Sequence, residues 1–452
     1  MAKLYFFIVF IISLFVCILA PQDYDFEYSI FCAIAYWVNF ILYLILKKKE
    51  NYFDFDNLFF IAFFFVTLYY SAVMYESDPY RYIFYKLYFD KNTIPLASGI
   101  ALLASSGYLF GAILVKENNK TFQLTNLIKI KTTWIFILTI ILVALYVITG
   151  GYNALLNEYV GGVEVVEKNG ASSYFYAFFP AFLFSGIIAE FYNLKIENQT
   201  KLVFSKINKF ALFTTVLVFL LFFLAGSRSI PLQITIICVA LYTLLYRPIS
   251  FSKFILIILI GFIALAAVGF MRNALKSGLG NYDKKFQIED SAMDLIVNNR
   301  NSYVIIDHVD KKGFSYGESM LSPLLAPIPF AQSLVISIFD LDEDNMRSAL
   351  ITTKDTFGEV GTWGLGTNIV GDVYLAFGIL GIFILFPIMG YGVNNLRVKS
   401  YNSPIILLYY AILISYAVYL PRAEYFYFVR YFVWCSIILY LAIKLQKLKR
   451  IN

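Results

Sequence analysis

Four arginines stand out because each interrupts or ends a strongly apolar run. Arg228 lies in FFLAGSRSIPLQ, between two runs of Phe, Leu, Ile and Val, and Arg272 (VGFMRN) follows a third run. Arg422 (YLPRAEYF) separates two late runs, and Arg430 (YFVRYF) would lie about 12 Å further along a continuous helix. A guanidinium is always charged, and its fork of donors fits phosphate oxygens. The four positions therefore predict a diphosphate site, with arginines that anchor to lipid headgroups as the alternative.

A hydroxyl group that displaces a diphosphate must also lose a proton to a base. His308 (IIDHVDKKG) is the only histidine, and histidine is the side chain that ordinarily titrates near neutrality. Asp372 (GDVYLAFG) would be a carboxylate inside an apolar span, and Glu424 follows Arg422 by two residues. The alternatives are a solvated surface histidine, an Asp372 paired with an arginine, and a Glu424 that orients Arg422. The sequence leaves the identity of the base open.

The composition predicts the environment in which these groups lie. The chain has 452 residues, of which 60% are hydrophobic and 15% charged, and its mean hydropathy is +0.71. Soluble domains average roughly 45–50% apolar and about 25% charged residues. The four cysteines lie in apolar runs without the spacing of a disulfide framework or zinc site. We therefore expect an all-α integral membrane protein without a bound metal.

Apolar runs of about 17–25 residues are long enough to span a bilayer as helices. The sequence predicts about 12 transmembrane helices and one polytopic membrane domain over residues 1–452. The predicted spans lie near residues 4–20, 29–46, 58–75, 95–115, 134–149, 174–190, 210–226, 230–246, 254–270, 369–390, 404–420 and 426–443.

The charges of the connecting loops predict the orientation. With a cytoplasmic N-terminus, the inner segments hold 20 of the 36 Lys and Arg residues but only 6 of the 30 Asp and Glu residues. This asymmetry follows the positive-inside rule. Both termini are therefore predicted to be cytoplasmic, and the four arginines to lie at the outer side. The net charge of +6 then reflects orientation, and we expect no nucleic-acid partner.

One external segment, residues 271–368, is far longer than a connection between two spans requires. Within it, residues 287–309 have apolar positions at helical spacing, which predicts an amphipathic helix that lies on the membrane surface or roofs the bundle. The stretch SPLLAPIPF should end this helical region. The sequence contains no Walker-type, HExxH, GxSxG or CxxC motif, so ATP-driven transport, zinc proteolysis and thiol redox chemistry have no motif to support them.

Several motifs, in this order, resemble those of a known family. They are GSRS between two spans, FMRN before the long external segment, GFSYGES followed by PLLAPIPF, TNIVGDVYLAFGILG, and PRAEYFYFVRYF. The chain resembles the O-antigen-type oligosaccharide repeat-unit polymerases of bacterial inner membranes over most of its length.

The resemblance implies a GT-C-like membrane fold and a glycosyltransferase that needs no cofactor. Such enzymes transfer a growing glycan from undecaprenyl diphosphate to an incoming lipid-linked repeat unit. Some members carry Arg-x10-Gly motifs in two external loops. Arg347 and Gly358 have this spacing, whereas the loop 149–173 has no arginine. Tyr316, one of several external tyrosines, is a further candidate for contact with sugar rings.

The expected partners are the two undecaprenyl-diphosphate-linked oligosaccharides, membrane lipids and a chain-length regulator protein. The expected location is the bacterial inner membrane, with the active site facing the periplasm and a product that enters lipopolysaccharide. Two alternatives are an O-antigen ligase, which would use the same donor, and a flippase for lipid-linked oligosaccharides. A flippase would place polar groups near the bilayer midplane, usually within internal repeats.

Overall fold

A computed structural model describes residues 1–116, 129–156, 170–197, 202–277, 289–358, 364–400 and 403–451. Within these ranges the chain is helical and has no strand. Eighteen α-helices lie in the described ranges: α1 (Ala2–Ile18), α2 (Phe26–Lys47), α3 (Phe55–Thr67), α4 (Ile94–Leu114), α5 (Thr133–Ile148), α6 (Gly151–Leu156), α7 (Gly170–Glu197), α8 (Lys209–Leu224), α9 (Ser229–Leu245), α10 (Phe251–Ser277), α11 (Glu289–Ile296), α12 (Asn299–Lys312), α13 (Leu321–Leu325), α14 (Ala331–Phe339), α15 (Ser348–Phe357), α16 (Ile369–Lys399), α17 (Pro404–Tyr416) and α18 (Val429–Ile451).

Many of these helices are suited to a membrane. Among the described residues, five stretches are long and apolar enough to cross a bilayer: Phe26–Lys47, Lys91–Leu114, Gly170–Glu197, Ile369–Lys399 and Val429–Gln446. Shorter apolar helices accompany them in α1, α3, α5, α8, α9, α10 and α17. Each of the predicted spans overlaps one of these helices. The all-helical membrane class is therefore confirmed, while the count of 12 spans and the GT-C-like arrangement stay predictions.

Some helix boundaries differ from those predicted. The span predicted at 58–75 is α-helical only to Thr67 and continues in a π-helical turn at Tyr70–Met74. Helix α16 continues to Lys399, well beyond residue 390, because its C-terminal part is a packed helix and not a loop. It also bends at Gly378, whose φ of +62° departs from helical geometry.

Helix α4 lies at the centre of one half of the bundle and packs closely against α16. A Cβ atom at Gly111 would lie 1.9 Å from the carbonyl oxygen of Pro387, and one at Gly390 would lie 2.0 Å from that of Tyr108. Two glycines thus let the two backbones touch, as small residues do in membrane helix pairs. This half also includes α1, α2 and α3, whereas α5, α7, α8, α9 and α18 pack around a second apolar core.

The KKKE stretch at residues 47–50, between the second and third predicted spans, is partly folded into the bundle. Lys47 and Lys49 are both buried. Lys49 Nζ lies 2.6 Å from Asp54 Oδ2 and 2.7 Å from Asp56 Oδ2, and the Tyr43 hydroxyl donates to Asp56 at 2.6 Å. Buried charges need such partners, because an unpaired ion in a low-dielectric interior is strongly destabilising. These lysines therefore take part in the packing of the bundle, in addition to their predicted effect on the orientation of the chain in the membrane.

Residues 289–358, which we call the roof segment, cover one end of the bundle. Of the two arrangements predicted for residues 287–309, the described part shows the roof: residues 299–306 of α12 are all buried, and α12 packs on α3, α4 and α16. Arg300 Nη1 donates to Thr356 Oγ1 at 2.9 Å, and burial lowers the Arg300 pKa to about 10. Contrary to the prediction, the helical region does not end at the SPLLAPIPF stretch: α12 ends at Lys312, where Gly313 has a φ of +87°, and part of the stretch forms α13.

Labelling of single cysteines tests the predicted orientation. Tyr316 is 82% exposed on the roof segment, and Lys116 is exposed at the opposite predicted side. In intact spheroplasts, a membrane-impermeant maleimide should label Tyr316→Cys and leave Lys116→Cys unlabelled. The native cysteines should give little background, because three are buried and Cys238 is half-buried. The reverse pattern would place the roof segment in the cytoplasm and remove the basis for an external active site.

Candidate active site

Arg228 and Arg422, which we call the arginine pair, meet at one residue of the roof segment. Arg228 Nη1 donates to Asp294 Oδ2 at 2.9 Å, and Arg422 Nη1 donates to the Asp294 backbone carbonyl at 2.9 Å. Arg228 lies directly before α9, and Arg422 ends a short turn after α17. In the GSRS stretch, Gly226 has a φ of +82°, a left-handed conformation that lets the chain reverse between α8 and α9.

The arginine pair has more positive charge than Asp294 neutralises. The Asp294 side chain is 42% exposed, whereas that of Arg228 is only 11% exposed. The buried Nε of Arg228 has no hydrogen-bond partner among the described residues. A surplus of charge and an unused donor at a partly desolvated position are suited to an anion. The structure thus brings together two of the four arginines that the sequence singled out.

An apolar cavity of about 350 Å³ begins at the arginine pair. Arg228, Asp294 and Arg422 line one end, and the remaining walls are mainly apolar side chains of α3, α9 and α10. The wall on α3 extends from Leu58 to Phe65, about 10 Å along the helix. Further lining residues are Ile61, Phe219, Leu232, Ile236, Val239 and Ile258. A charged end joined to an apolar cavity is suited to an amphiphile with an anionic head.

A second group of polar residues joins α15, α16 and the turn after α17. Arg347 Nη2 donates to Glu424 Oε1 at 3.1 Å. Ser348 Oγ donates to Asp372 Oδ1 at 2.6 Å, and the Tyr425 backbone N–H donates to Asp372 Oδ2 at 2.8 Å. This network fixes the turn that also presents Arg422.

One predicted pairing was wrong, and the alternative of an Asp372–arginine pair has no described hydrogen bond, although Arg347 interacts with Asp372 electrostatically. Glu424 contacts Arg347 and not Arg422, because the turn directs its carboxylate towards α15. Asp372 is fully buried, and its described hydrogen-bond partners are Ser348 and the Tyr425 backbone, not an arginine.

Arg430 lies in the first turn of α18 and not 12 Å inside a span. Residues 423–428 form turns, so the continuous helix assumed for that distance does not exist. The Arg430 guanidinium carbon lies 5.1 Å from the ring centre of Tyr431 and 5.4 Å from that of Trp434. These contacts are cation–π interactions. Arg430 therefore lies in an aromatic setting, apart from the described contacts of the arginine pair.

The other predicted site residues, Arg272, Arg347, Gly358 and Tyr316, lie outside the arginine pair or outside the described part of the structure. The Arg272 side chain lies outside the part of the structure that is described. Arg347 and Gly358 flank the ten residues of α15, and Gly358, with a φ of +77°, ends that helix. Here the Arg-x10-Gly spacing therefore matches the length of one helix. Tyr316 projects from the loop after α12.

His308 lies in a second pocket, of about 230 Å³, on the roof segment. Its Nδ1 is hydrogen-bonded to Asp355, and Lys312 Nζ donates to the same carboxylate at 2.9 Å. Burial would raise the Asp355 pKa, but the hydrogen bonds from His308 and Lys312 outweigh it, so the pKa lies below its ordinary value. His308 is therefore a half-buried, paired side chain and not a solvated one.

Helix α12 separates this pocket from the arginine pair. Asn298, at the start of α12, donates to the same Asp294 carbonyl that accepts from Arg422. His308 is ten residues further on, about 15 Å along a helix. The two pockets are thus distinct sites.

Comparison with known families decides the identity. The family described as O-antigen polysaccharide polymerase Wzy matches residues 3–450. The chain belongs to this family. It is thus a multi-pass membrane polymerase of the glycosyltransferase type, from a family that acts on lipid-linked oligosaccharides. No match was found among curated proteins or among solved structures.

Three residues that contribute to the polymerase's site carry no signal in the sequence. Asp294, Ser348 and Asp355 lie in ordinary helical stretches of the long segment, and their partners are between 24 and 66 residues away. Only the folded roof segment brings them to the arginine pair, to Asp372 and to His308.

Proposed function

We propose that this polymerase transfers the growing glycan from undecaprenyl diphosphate to a sugar hydroxyl of an incoming undecaprenyl-diphosphate-linked repeat unit. The transfer takes place at the periplasmic face of the inner membrane. The observation that carries this proposal is the arginine pair at the head of an apolar cavity. The pair would bind the diphosphate, and the cavity would take the adjoining part of the isoprenoid chain.

The chemistry follows from the charge that develops in the reaction. The acceptor oxygen forms a bond to the anomeric carbon, and the bond from that carbon to the diphosphate oxygen breaks. Negative charge grows on the departing diphosphate, and preorganised guanidinium groups stabilise it more strongly than they stabilise the ground state. Arg228 and Arg422 are preorganised because Asp294 already fixes both.

Of the three candidate bases, Glu424 has the position that suits the arginine pair best. Its carboxylate, which Arg347 orients, belongs to the polar network that fixes the turn presenting Arg422, and the Glu424 side chain is 5% exposed. Asp372 is fully buried, with a donor on each carboxylate oxygen. His308, about 15 Å along α12, is too far to take a proton at the same reaction centre.

Deletion of the gene, followed by gel analysis of the glycans, tests the function. Loss of this polymerase should leave a single repeat unit on the final lipid anchor. Absence of any transferred glycan would identify a ligase, and repeat units retained at the cytoplasmic face would identify a flippase. A chain-length regulator protein as partner is part of the proposal, and its removal should change only the distribution of polymer lengths.

Chelation tests whether arginines alone balance the diphosphate charge. Among the described residues, no group of three or more His, Cys, Asp or Glu side chains is arranged to hold a metal ion. We expect purified enzyme to keep its full rate of polymerisation in EDTA. Loss of activity that magnesium or manganese restores would contradict a metal-independent reaction, since these cations bind carboxylate and phosphate oxygens.

A further inference from the structure

We propose that the pocket beside His308, the distal pocket, binds a sugar ring of the substrate glycan away from the bond that reacts. This inference rests on the proposed function and adds a subsite to it. The pocket has a volume of about 230 Å³ and is open to the surface of the roof segment. The lining residues that matter for recognition are His308, Lys312, Phe314, Glu318, Asp344 and Lys354.

One wall of the distal pocket is a loop held in an unusual conformation. Gly313, Tyr316 and Gly317 all have positive φ, of +87°, +48° and +93°. A tyrosine rarely adopts this conformation, which persists only where the surroundings impose it. The Ser315 backbone N–H donates to the Leu375 carbonyl of α16 at 2.9 Å, which anchors the loop.

This loop presents aromatic surface at the pocket. Phe314 lines the pocket, and Tyr316 is 82% exposed beside it, with the two ring centres 6.4 Å apart. An exposed ring has no role in packing the core, whereas its apolar face is suited to the C–H face of a sugar. The strained backbone at Tyr316 thus has a physical function: it holds the ring at the rim.

The charges of the distal pocket indicate the class of sugar. Lys312 pairs with Asp355 at 2.9 Å, and Lys354 pairs with Asp344 at 2.9 Å. With Glu318 the lining has three carboxylates against two lysines, so the pocket has no surplus of positive charge. It differs in this respect from the arginine pair. Paired charges that offer donors and acceptors are suited to the hydroxyl groups of an uncharged sugar and not to a phosphate or uronate.

The position of the pocket makes it a subsite for a remote sugar. It lies about 15 Å along α12 from the arginine pair. A sugar bonded directly to the diphosphate cannot reach it, whereas a later sugar of the same glycan can. Occupancy of this pocket would hold the growing chain on the enzyme between successive transfers.

Binding of lipid-free glycan tests the proposal. The probe is the strain's own polysaccharide, released from its lipid by mild acid and titrated calorimetrically into the full-length detergent-solubilised enzyme. We expect Lys354→Gln to weaken binding about 10-fold, because a hydrogen bond to a charged group is lost. Tyr316→Ala should weaken it about 3-fold. Tyr80→Ala is the matched control, since this tyrosine is also exposed but, unlike Tyr316, lies on a loop that contributes no residue to the pocket lining.

Two further measurements separate this inference from the proposed function. Arg422→Lys should bind the released glycan as the wild type does, and inorganic phosphate should not displace it. With lipid-linked repeat units, Lys354→Gln should yield shorter polymer than the wild-type enzyme. Wild-type glycan affinity and polymer length in Lys354→Gln and Tyr316→Ala would overturn the subsite alone. Absence of polymer with the wild-type enzyme would overturn the proposed function instead.

Discussion

Glu424→Gln should lower the turnover of polymerisation by about 100-fold or more, the usual effect of losing a general base. Glutamine keeps the size of the side chain and can still accept a hydrogen bond from Arg347, but it cannot take up a proton. Binding of the lipid-linked substrates should stay near that of the wild type. The measurement is the rate of a single transfer with saturating donor and acceptor in reconstituted vesicles.

Arg347→Gln is the matched control for this variant, because it weakens the same ion pair from the other side. If Glu424 acts only through that pair, the two variants should lose activity equally. If Glu424 is the base, the Arg347→Gln variant should polymerise much faster than the Glu424→Gln variant. Near-normal transfer by Glu424→Gln would exclude the residue and return attention to Asp372 and His308.

Arg422→Lys and Arg228→Lys should each slow polymerisation about 10- to 100-fold while expression and membrane insertion stay normal. A phosphate-binding arginine uses planar donors that lysine lacks, and each charged hydrogen bond contributes about 1.5–3 kcal/mol. An arginine that merely anchors to headgroups needs only a long stem and a positive charge, so lysine would replace it.

Arg247→Lys, an exposed arginine at the opposite end of α9, is the control and should be fully active. The activity of Arg430→Lys should lie between that of Arg247→Lys and those of the arginine-pair variants. The aromatic rings around the Arg430 guanidinium bind lysine less well. Wild-type polymer from both variants of the arginine pair would place the diphosphate site elsewhere.

The membrane class was predictable because hydrophobic length is a local property of the sequence. Each predicted span overlaps a helix, and some, such as 134–149, match it closely although nothing was known of the neighbouring helices. Helix ends were less predictable: α3 gives way to a π turn near Tyr70 because of packing against the roof segment, where Asn299 Oδ1 accepts the Tyr70 N–H at 3.3 Å.

The site was predictable only in its arginines. A charge between two apolar runs is visible in the sequence, and this singled out Arg228 and Arg422. The partner of an arginine is not visible, because Asp294 is 66 residues from Arg228 and 128 from Arg422. Proximity in the chain was misleading for Glu424, which lies two residues from Arg422 but contacts Arg347. Long-range pairing depends on the tertiary fold, and it cannot be predicted from any single residue.

The apolar cavity opens at the outer surface of the bundle, since Ile260, one of its lining residues on the apolar helix α10, is 58% exposed. On the proposed function, a lipid-linked substrate would enter sideways, from within the bilayer, and the spent diphosphate carrier would leave by the same route. The quantity that sets the rate is then the number of carriers per unit area of membrane, not their concentration in the suspension. On the same proposal, carrier recycling by other enzymes would regulate this polymerase directly, because every spent carrier left in the leaflet would compete with a loaded one for the same opening.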